Sequence, residues 1–320
     1  MLKSKLAALA GICTLALSAA FNPAASQSKT ITFGSTNAAS SNFALAVAMN
    51  KAIKKELPDS NISMIETGAS VDNIRRMTKK EIDFGLVMVD TSIQAIDGLG
   101  PFKDKAVPDL VVLYSHDASS LQFSVRADAG VNQLTDLTGK KFSAGIRGSG
   151  AELLTRQIFT ELGISPSWVP GSIQDSVEGV QNRHLIGYAK YGQGTTSLDA
   201  TMRELLTSTP MKFLGFSPEQ KKLVLAKVKG VDFMTLPADL IPGQPALDTP
   251  VVYGTYSTRL SLMDDATAYA VAKAIYTNRQ FLIEVFPHLA HFNFKEGTLK
   301  TEALGLKVHP GAKKFWESVQ

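Results

Sequence analysis

Residues 141–152 read KFSAGIRGSGAE, which is typical of a short strand that runs through a glycine-rich turn into the start of a helix. Backbone N–H groups at a helix start have no partner within the helix, and the helix dipole adds partial positive charge there. The turn can therefore bind a carboxylate or a phosphate, and Arg147 would add a full positive charge. The alternative is a tight connection without a ligand, because such turns are common in α/β proteins.

The spacing of this turn argues against a nucleotide. It matches neither GxxxxGK[ST], which cradles nucleotide phosphates, nor the GxGxxG of dinucleotide-binding folds. We therefore expect a plain anionic metabolite at this position.

Short apolar strands alternate with amphipathic helices along the rest of the chain, a pattern that predicts an α/β fold with parallel sheets. Strands are expected at 30–33, 61–66, 84–89, 110–114, 122–126, 186–191 and 249–259. Helices are expected at 42–56, 71–80, 152–163 and 172–182.

Polar residues follow the first three predicted strands. They are Ser35, Thr36, Asn37, Ser70 and Asp90. Because the carboxyl ends of parallel strands meet at one edge of a sheet, we expect these residues to form a pocket. The alternative for each hydroxyl or amide is a turn or helix cap, and Ser70 in particular can cap the helix that follows it.

The remaining strands predict a second lobe, in which Gln193 ends the 186–191 strand at the crevice. The 249–259 strand then returns toward the first lobe. Two crossing strands imply a hinge. We predict one lobe from 27–122 and 252–320, and a second from 123–251.

Residues 1–26 predict a secretory signal peptide. Lys3 and Lys5 precede an apolar run, and small residues at Ala24 and Ser26 favour cleavage before Gln27. Ile12 stands before Cys13 where a lipoprotein signal has a small residue, so no lipid anchor is expected. The predicted product is periplasmic, soluble and free of a membrane anchor.

Charge and cysteine content exclude several classes. Cys13 is the only cysteine, so the exported chain would have no thiol chemistry. Loss of Lys3 and Lys5 lowers the formal net charge from +4 to +2, and no dense basic stripe suggests nucleic acid binding.

No catalytic or metal site is predicted, and hence no cofactor. Ser149 lacks the GxSxG context of a nucleophile, and His288 and His291 lack the HExxH pattern of a zinc site. His116 and Asp117 are adjacent, so their side chains would point in different directions on an extended segment. The sequence is not that of an enzyme.

Several motifs occur in one order along the whole predicted mature chain. They are TGASVDN (67–73), DFGLVMVD (83–90), VRAD (125–128), GIRGSGAE (145–152) and LKVHPGA (306–312). Together they resemble the TAXI family, the extracytoplasmic solute receptors of tripartite TRAP transporters. The resemblance implies a periplasmic-binding-protein-like α/β fold with two lobes, a two-strand hinge and a ligand in the inter-lobe cleft. It also implies capture of an amino acid such as glutamate, or another small carboxylate, for the membrane permease subunits.

The chain departs from the family pattern in several places, among them the first loop at 35–39, Phe43, residues 184–191 and Arg147. Residues 184–191 read HLIGYAKY where the family has Gly-x-Ile-Asp-Ala, and Arg147 replaces a common proline, which favours an anionic ligand. The expected ligand contacts are Ser35, Thr36, Asn37, Ser70, Asp90, Arg147, Gly148, Ser149 and Gln193. Arg147 and the amides near Ser149 would hold a carboxylate, and Asp90 an amino group. The alternative function is a periplasmic sensor that acts with a membrane sensor kinase, because the same fold and pocket serve both.

Overall fold

The computed structural model describes residues 29–194 and 196–319. The predicted signal peptide, its cleavage position and Cys13 lie outside the described residues. A search of the described residues finds no helix that is both long and apolar enough to span a membrane.

Ten strands of the described residues form one connected series of pairings. They are β1 (Thr30–Gly34), β2 (Asn61–Ile65), β3 (Phe84–Met88), β4 (Leu110–Arg126), β5 (Lys141–Ser143), β6 (Ser167–Trp168), β7 (Gly187–Tyr191), β8 (Met211–Leu214), β9 (Asp232–Leu236) and β10 (Leu247–Arg259). Their order is β2-β1-β3-β10-β4-β7-β5-β6, with β8 beside β4 and β9 beside β10. The pairs β1–β2, β1–β3, β5–β6 and β5–β7 are parallel.

Helices connect and cover these strands. They are α1 (Ser41–Glu56), α2 (Ser70–Thr78), α3 (Val89–Asp97), α4 (Gly150–Glu161), α5 (Ile173–Gln181), α6 (Ala200–Leu206), α7 (Pro218–Lys227), α8 (Asp265–Thr277), α9 (Arg279–Val285), α10 (Phe294–Ala303) and α11 (Pro310–Ser318). Short 3₁₀ helices lie at Gly100–Phe102, Leu134–Leu137 and Pro287–His291. The predicted mixed α/β architecture is confirmed.

Two long antiparallel strands, β4 and β10, connect the two halves of the sheet. Up to Ser120, β4 pairs with β10, and from Leu121 onward it pairs with β7. In β10, residues 254–258 pair with β3 and residues 247–251 pair with β9. Both strands therefore contribute to both lobes, and the change of partner in β4 lies between Ser120 and Leu121.

The prediction of separate strands at 110–114 and 122–126 is wrong, because β4 continues through the polar segment SHDASS at 115–120. This segment is almost wholly buried, and its serine hydroxyls have partners within the protein. The Ser115 hydroxyl donates to the Gly254 carbonyl at 3.0 Å, and the Ser119 hydroxyl donates to Asp117 at 2.7 Å. A polar segment reads as a loop from its composition, but tertiary hydrogen bonds hold this one as a strand.

Aromatic side chains form the centre of each lobe. In the first lobe Phe33 stacks on Phe84 at 4.8 Å between ring centroids, and the Trp316 indole donates to the Leu113 carbonyl at 2.9 Å. The C-terminal helix α11 is thus fixed to the first lobe. In the second lobe Phe123 stacks on Phe159 at 5.3 Å. The two aromatic pairs belong to different buried clusters, and the cluster around Phe123 also includes Val89 and Val112 of the first lobe.

Candidate functional site

A small cavity lies where the carboxyl ends of β3 and β7 approach the starts of α1, α2 and α4. Its volume is about 40 Å³, enough for a few water-sized groups in this arrangement of the lobes. The walls combine hydroxyl, amide and amine groups with small apolar side chains. They are formed by Thr36, Ser40, Asn42, Ala69, Ser70, Leu86, Met88, Ile146, Ser149, Gly150, Ala151, Ala189, Lys190 and Tyr191.

The start of α4 faces this cavity with unpaired amides. Ser149 caps the helix, because its side chain accepts from the Glu152 N–H at 3.1 Å. The N–H groups of Gly150 and Ala151 have no hydrogen-bond partner within residues 29–194 and 196–319. Since these groups carry the positive end of the helix dipole, they favour an anion in the cavity.

Lys190 is a buried cation in the cavity wall. It lies in β7 and forms an ion pair with Asp199, which caps α6 by accepting from the Met202 N–H at 2.9 Å. Burial and the charge of Arg203 lower the pKa of Lys190, whereas contact with Asp199 favours the charged ammonium. The hydrogen bond from Met202 thus fixes the Asp199 carboxylate, and Asp199 in turn positions the Lys190 ammonium at the cavity.

Asp90 lies beside the cavity in the first turn of α3, two residues after the end of β3. Its side chain is buried, and Oδ1 has no partner among the described residues. Burial raises the pKa of Asp90 to about 7, although hydrogen bonds from Thr91 lower it. Tyr191 lines the cavity with its hydroxyl unpaired, and burial and the Asp90 charge raise the pKa of that phenol.

Three of the predicted site residues, Thr36, Ser70 and Ser149, line the cavity. The prediction that Ser70 caps α2 is wrong. Ser70 is itself the first residue of α2, no side chain caps that helix, and the Ser70 hydroxyl accepts from the Met88 N–H at 3.1 Å. Ser70 therefore ties α2 to the end of β3 beside the cavity.

Three other predicted residues lie around the cavity without lining it. Ser35 is buried, and its carbonyl accepts from the Thr67 hydroxyl at 2.9 Å. The Asn37 amide donates to Glu66 at 2.9 Å on the outer rim. Gln193 is half-buried and forms an isolated bridge to Ser197. Their ligand roles remain predictions.

Arg147 and Gly148 occupy the mouth of the cleft. The Arg147 side chain is exposed and lies against two outer grooves rather than the cavity. The Gly148 N–H donates to Glu152 at 2.8 Å and the Ser149 N–H donates to the Ile146 carbonyl at 3.0 Å. The free amides are therefore those of Gly150 and Ala151, one and two residues after Ser149.

Lys190 was absent from the predicted set, although the sequence holds a signal for it. It is the one charged residue in the strand GYAKY, which the structure buries from Gly187 to Lys190. A lysine in such a strand requires a partner or a function, because a buried unpaired charge is costly. Asn42 and Ser40 carried no comparable signal.

The two lobes touch each other across the cavity. The N–H groups of Val71 and Asp72, at the start of α2, donate to the Gly148 carbonyl at 3.0 and 3.3 Å. The Ala200 N–H donates to the Ser41 hydroxyl at 3.2 Å. A Cβ on Gly150 would lie 2.9 Å from the hydroxyls of Ser70 and Thr91, so glycine permits this approach. These contacts describe a closed cleft.

The histidines lie away from the cavity. His288 contacts the buried Asp117 at 2.7 Å, and the exposed His291 is not part of this contact. In the part of the chain that the structure describes, no group of three His, Cys, Asp or Glu residues could hold a metal ion.

Comparisons with known proteins agree with this architecture. The NMT1-like family matches residues 33–318. MatC from Rhodopseudomonas palustris with bound malate has a TM-score of 0.58 at 9% identity, over 91% of this chain and 99% of that chain. A putative L-cystine ABC transporter protein from Listeria monocytogenes has a TM-score of 0.51 at 13% identity, over 80% and 94%. The fold is that of the two-lobed periplasmic solute-binding proteins, a class without enzymatic activity.

Proposed function

The chain belongs to the NMT1-like family, and from this premise we propose that it is a receptor for a small carboxylate or amino acid. The receptor delivers its solute to a TRAP-type membrane permease, as its resemblance to the TAXI group suggests. The solute occupies the cavity between the lobes.

The observation that carries the proposal is the pair of free N–H groups at the start of α4, next to the Lys190 ammonium. The two N–H groups belong to Gly150 and Ala151, and all three residues line one cavity. A carboxylate supplies acceptors for both amides and a counter-charge for the lysine. The hydroxyls of Thr36 and Ser70 complete the polar wall.

The part of the cavity wall at Tyr191 suits a hydrogen-bond donor on the solute. The Tyr191 hydroxyl has no partner among the described residues, and the Asp90 carboxylate acts on it electrostatically. An amino group would place its positive charge toward Asp90 and let that residue ionise at neutral pH. This arrangement favours an amino acid over a simple monocarboxylate.

Lobe closure is the physical mechanism. A solute that contacts both lobes gains its full set of interactions only in the closed state, so it shifts the open–closed equilibrium by its differential affinity. The cavity of the closed cleft has a volume of about 40 Å³, which is smaller than glutamate. With such a solute bound, the lobes lie slightly further apart. The permease then binds the closed surface.

The export and lobe assignments are part of this proposal. We place the protein in the periplasm, with the signal peptide removed near Ser26 and no membrane anchor. The lobes comprise 27–122 with 252–320, and 123–251. Mass spectrometry of the exported protein should give an N-terminus at Gln27, and an uncleaved chain would contradict the export assignment.

The first experiment is a thermal shift of the chain from Gln27 onward, stripped of bound solute. The panel contains amino acids, dicarboxylates, small hydroxy acids, keto acids and neutral sugars. A specific solute raises the melting temperature by mass action. We expect a saturable shift with one carboxylate class, and a shift with neutral sugars alone would contradict the proposal.

A matched pair of variants tests the cation. Lys190→Gln combined with Asp199→Asn replaces the ion pair by a neutral amide pair of similar shape. The affinity for the carboxylate should fall by about 1.5–3 kcal/mol, which is typical of a lost charge-assisted hydrogen bond. Asp248→Asn with Lys221→Gln removes a half-exposed ion pair elsewhere and should leave the affinity unchanged.

A further inference from the structure

We infer that a second, outer site at the mouth of the cleft binds a small multivalent oxyanion, such as phosphate or a polycarboxylate, through Arg75, Arg147 and Arg156. These three side chains line one groove of about 370 Å³. The groove is separate from the cavity. Ser149 stands between the two spaces, with its hydroxyl used as the cap of α4.

The groove has an excess of positive charge that the protein does not neutralise. The guanidinium groups of Arg75 and Arg147 have no ion pair or hydrogen bond with any of the described residues. The acidic residue of the groove, Glu152, is already engaged, because Oε1 accepts from Arg156 and Oε2 accepts from the Gly148 N–H. Three arginines therefore line the groove with one carboxylate, and that carboxylate pairs with Arg156.

Arg76, the neighbour of Arg75 on α2, has carboxylate partners within the protein. Arg76 donates to Asp72 at 2.9 Å and to Glu81 at 3.2 Å. Arg75 is the preceding residue on the same helix and turns toward the groove without such a partner. Arg75 and Arg76 lie on the same helix, so they differ in the groups that surround their side chains and not in the helix that carries them.

Arg156 is held in place more firmly than the other two. Its guanidinium lies 4.9 Å from the centre of the Trp168 ring and donates to Glu152 at 3.0 and 3.2 Å. Stacking and a carboxylate fix the plane of this group, which lowers the entropy cost of binding an anion. The fixed Arg156 and the unpaired side chains of Arg75 and Arg147 thus face the same groove.

The groove exists only when the lobes are together. Val71 and Arg75 come from α2 of the first lobe, whereas residues 147–156 belong to the second. An anion that contacts both sides stabilises closure, and a solute that closes the cleft assembles the groove. Binding at the two sites is therefore positively coupled. An anion in the groove raises the affinity for the cavity solute, and the solute raises the affinity for the anion.

The chemistry of the occupant follows from the side chains. A guanidinium presents planar, paired N–H donors that match carboxylate and phosphate oxygens, and several guanidiniums favour an occupant with more than one negative charge. Because Arg75 and Arg147 are exposed, added salt should weaken binding.

The test is calorimetric titration of the solute-free protein with inorganic phosphate, and separately with citrate, at constant ionic strength. We expect saturable one-to-one binding of at least one of them, and the tighter one identifies the class. Arg75→Gln and Arg147→Gln should each weaken binding about tenfold. Inorganic phosphate is not a carboxylate, so a failure of the proposed carboxylate receptor would not affect the phosphate titration. Citrate binding supports the groove only where Arg75→Gln and Arg147→Gln weaken it.

Arg76→Gln is the matched control, because it removes the same charge from the adjacent residue of the same helix. It should change the phosphate or citrate affinity less than threefold. Equal losses in Arg75→Gln and Arg76→Gln would overturn the site, since they would reflect net charge alone. The absence of saturable binding of both anions to the wild-type protein would overturn it as well.

Discussion

Asp90 is a residue whose burial opposes folding. Its pKa is raised to about 7 by burial, whereas an unfolded aspartate titrates near 4. Between these values the folded state binds more protons than the unfolded state. The free energy of unfolding therefore falls as pH rises from about 4 to 7, and the full cost is present above pH 7. A group that costs stability beside a cavity is typical of a binding site.

The variant Asp90→Asn should remove this cost. We expect the free energy of unfolding to rise at pH 8, by an amount on the order of 1–3 kcal/mol, and to change little at pH 4. Urea denaturation at both pH values measures the difference. Asp97→Asn, on the same helix but half-exposed, is the control and should show no such pH dependence. An equal gain at pH 4 and pH 8 would mean that ionisation is not the cause.

His288 is a second titrating residue, and it contacts Asp117 of β4, one of the strands that joins the lobes. Burial lowers the pKa of His288, but the hydrogen bond and the charge of Asp117 outweigh this and raise it above its usual value. The resulting stability is fully present below about pH 6.5 and is lost as pH rises through the raised pKa. His116 lies beside the pair, and burial lowers its pKa to about 4, so it stays neutral over this range.

His288→Gln should therefore destabilise the protein most at mildly acidic pH. At pH 5.5 we expect a loss of about 1–3 kcal/mol, because the buried Asp117 loses its charged partner, and a smaller loss at pH 8.5. Chemical denaturation across this range gives the profile. His291→Gln, a substitution three residues away at an exposed position, should leave it unchanged. A loss that does not depend on pH would rule out the charged pair.

At the scale of elements, α4 joins stability and binding because its first turn faces the cavity. Ser149 acts as its cap, as the Ser149 hydroxyl accepts from the Glu152 N–H. Ser149→Ala should cost about 1 kcal/mol of stability, as for other caps, and should lower solute affinity by less than the Lys190 and Asp199 double variant. A large affinity loss with no loss of stability would instead identify Ser149 as a direct ligand contact. Ser172→Ala, which removes the cap of α5, is the control.

Elements were predictable where local chemistry decides them. Alternating strands and helices predicted β1, α1, β2 and β3, and Ser172 marked the start of α5, because caps and apolar periodicity act within a few residues. The polar part of β4 was missed because its partners, such as Gly194 and Gly254, are distant in sequence. Free amides were predicted near Ser149, and the structure narrows them to Gly150 and Ala151, since Glu152 and Ile146 accept from the N–H groups of Gly148 and Ser149.

At the scale of the whole molecule, closure depends on a few direct hydrogen bonds from backbone N–H groups of one lobe to the other lobe. The start of α2 donates to the Gly148 carbonyl, and the start of α6 donates to Ser41. Each such hydrogen bond contributes about 0.5–1.5 kcal/mol, so the closed state is not locked. A solute whose differential affinity is a few kcal/mol is then enough to move most molecules from open to closed.

A substitution at Gly150 distinguishes an effect on lobe closure from an effect on folding. In Gly150→Ala the new Cβ would lie 2.9 Å from the Ser70 and Thr91 hydroxyls of the opposite lobe and 3.1 Å from the Met88 side chain. The same change favours the helix itself by about 0.5–1 kcal/mol, because alanine loses less backbone entropy. We therefore expect unchanged or higher stability together with about tenfold weaker solute binding, measured by denaturation and calorimetry. Adding Thr91→Ala removes one of the clashing hydroxyls and should restore part of the affinity. If Gly150→Ala bound solute as tightly as the wild-type protein, the close approach of α4 to the first lobe would not be needed for binding, and the ligand would have to be held in a more open cleft.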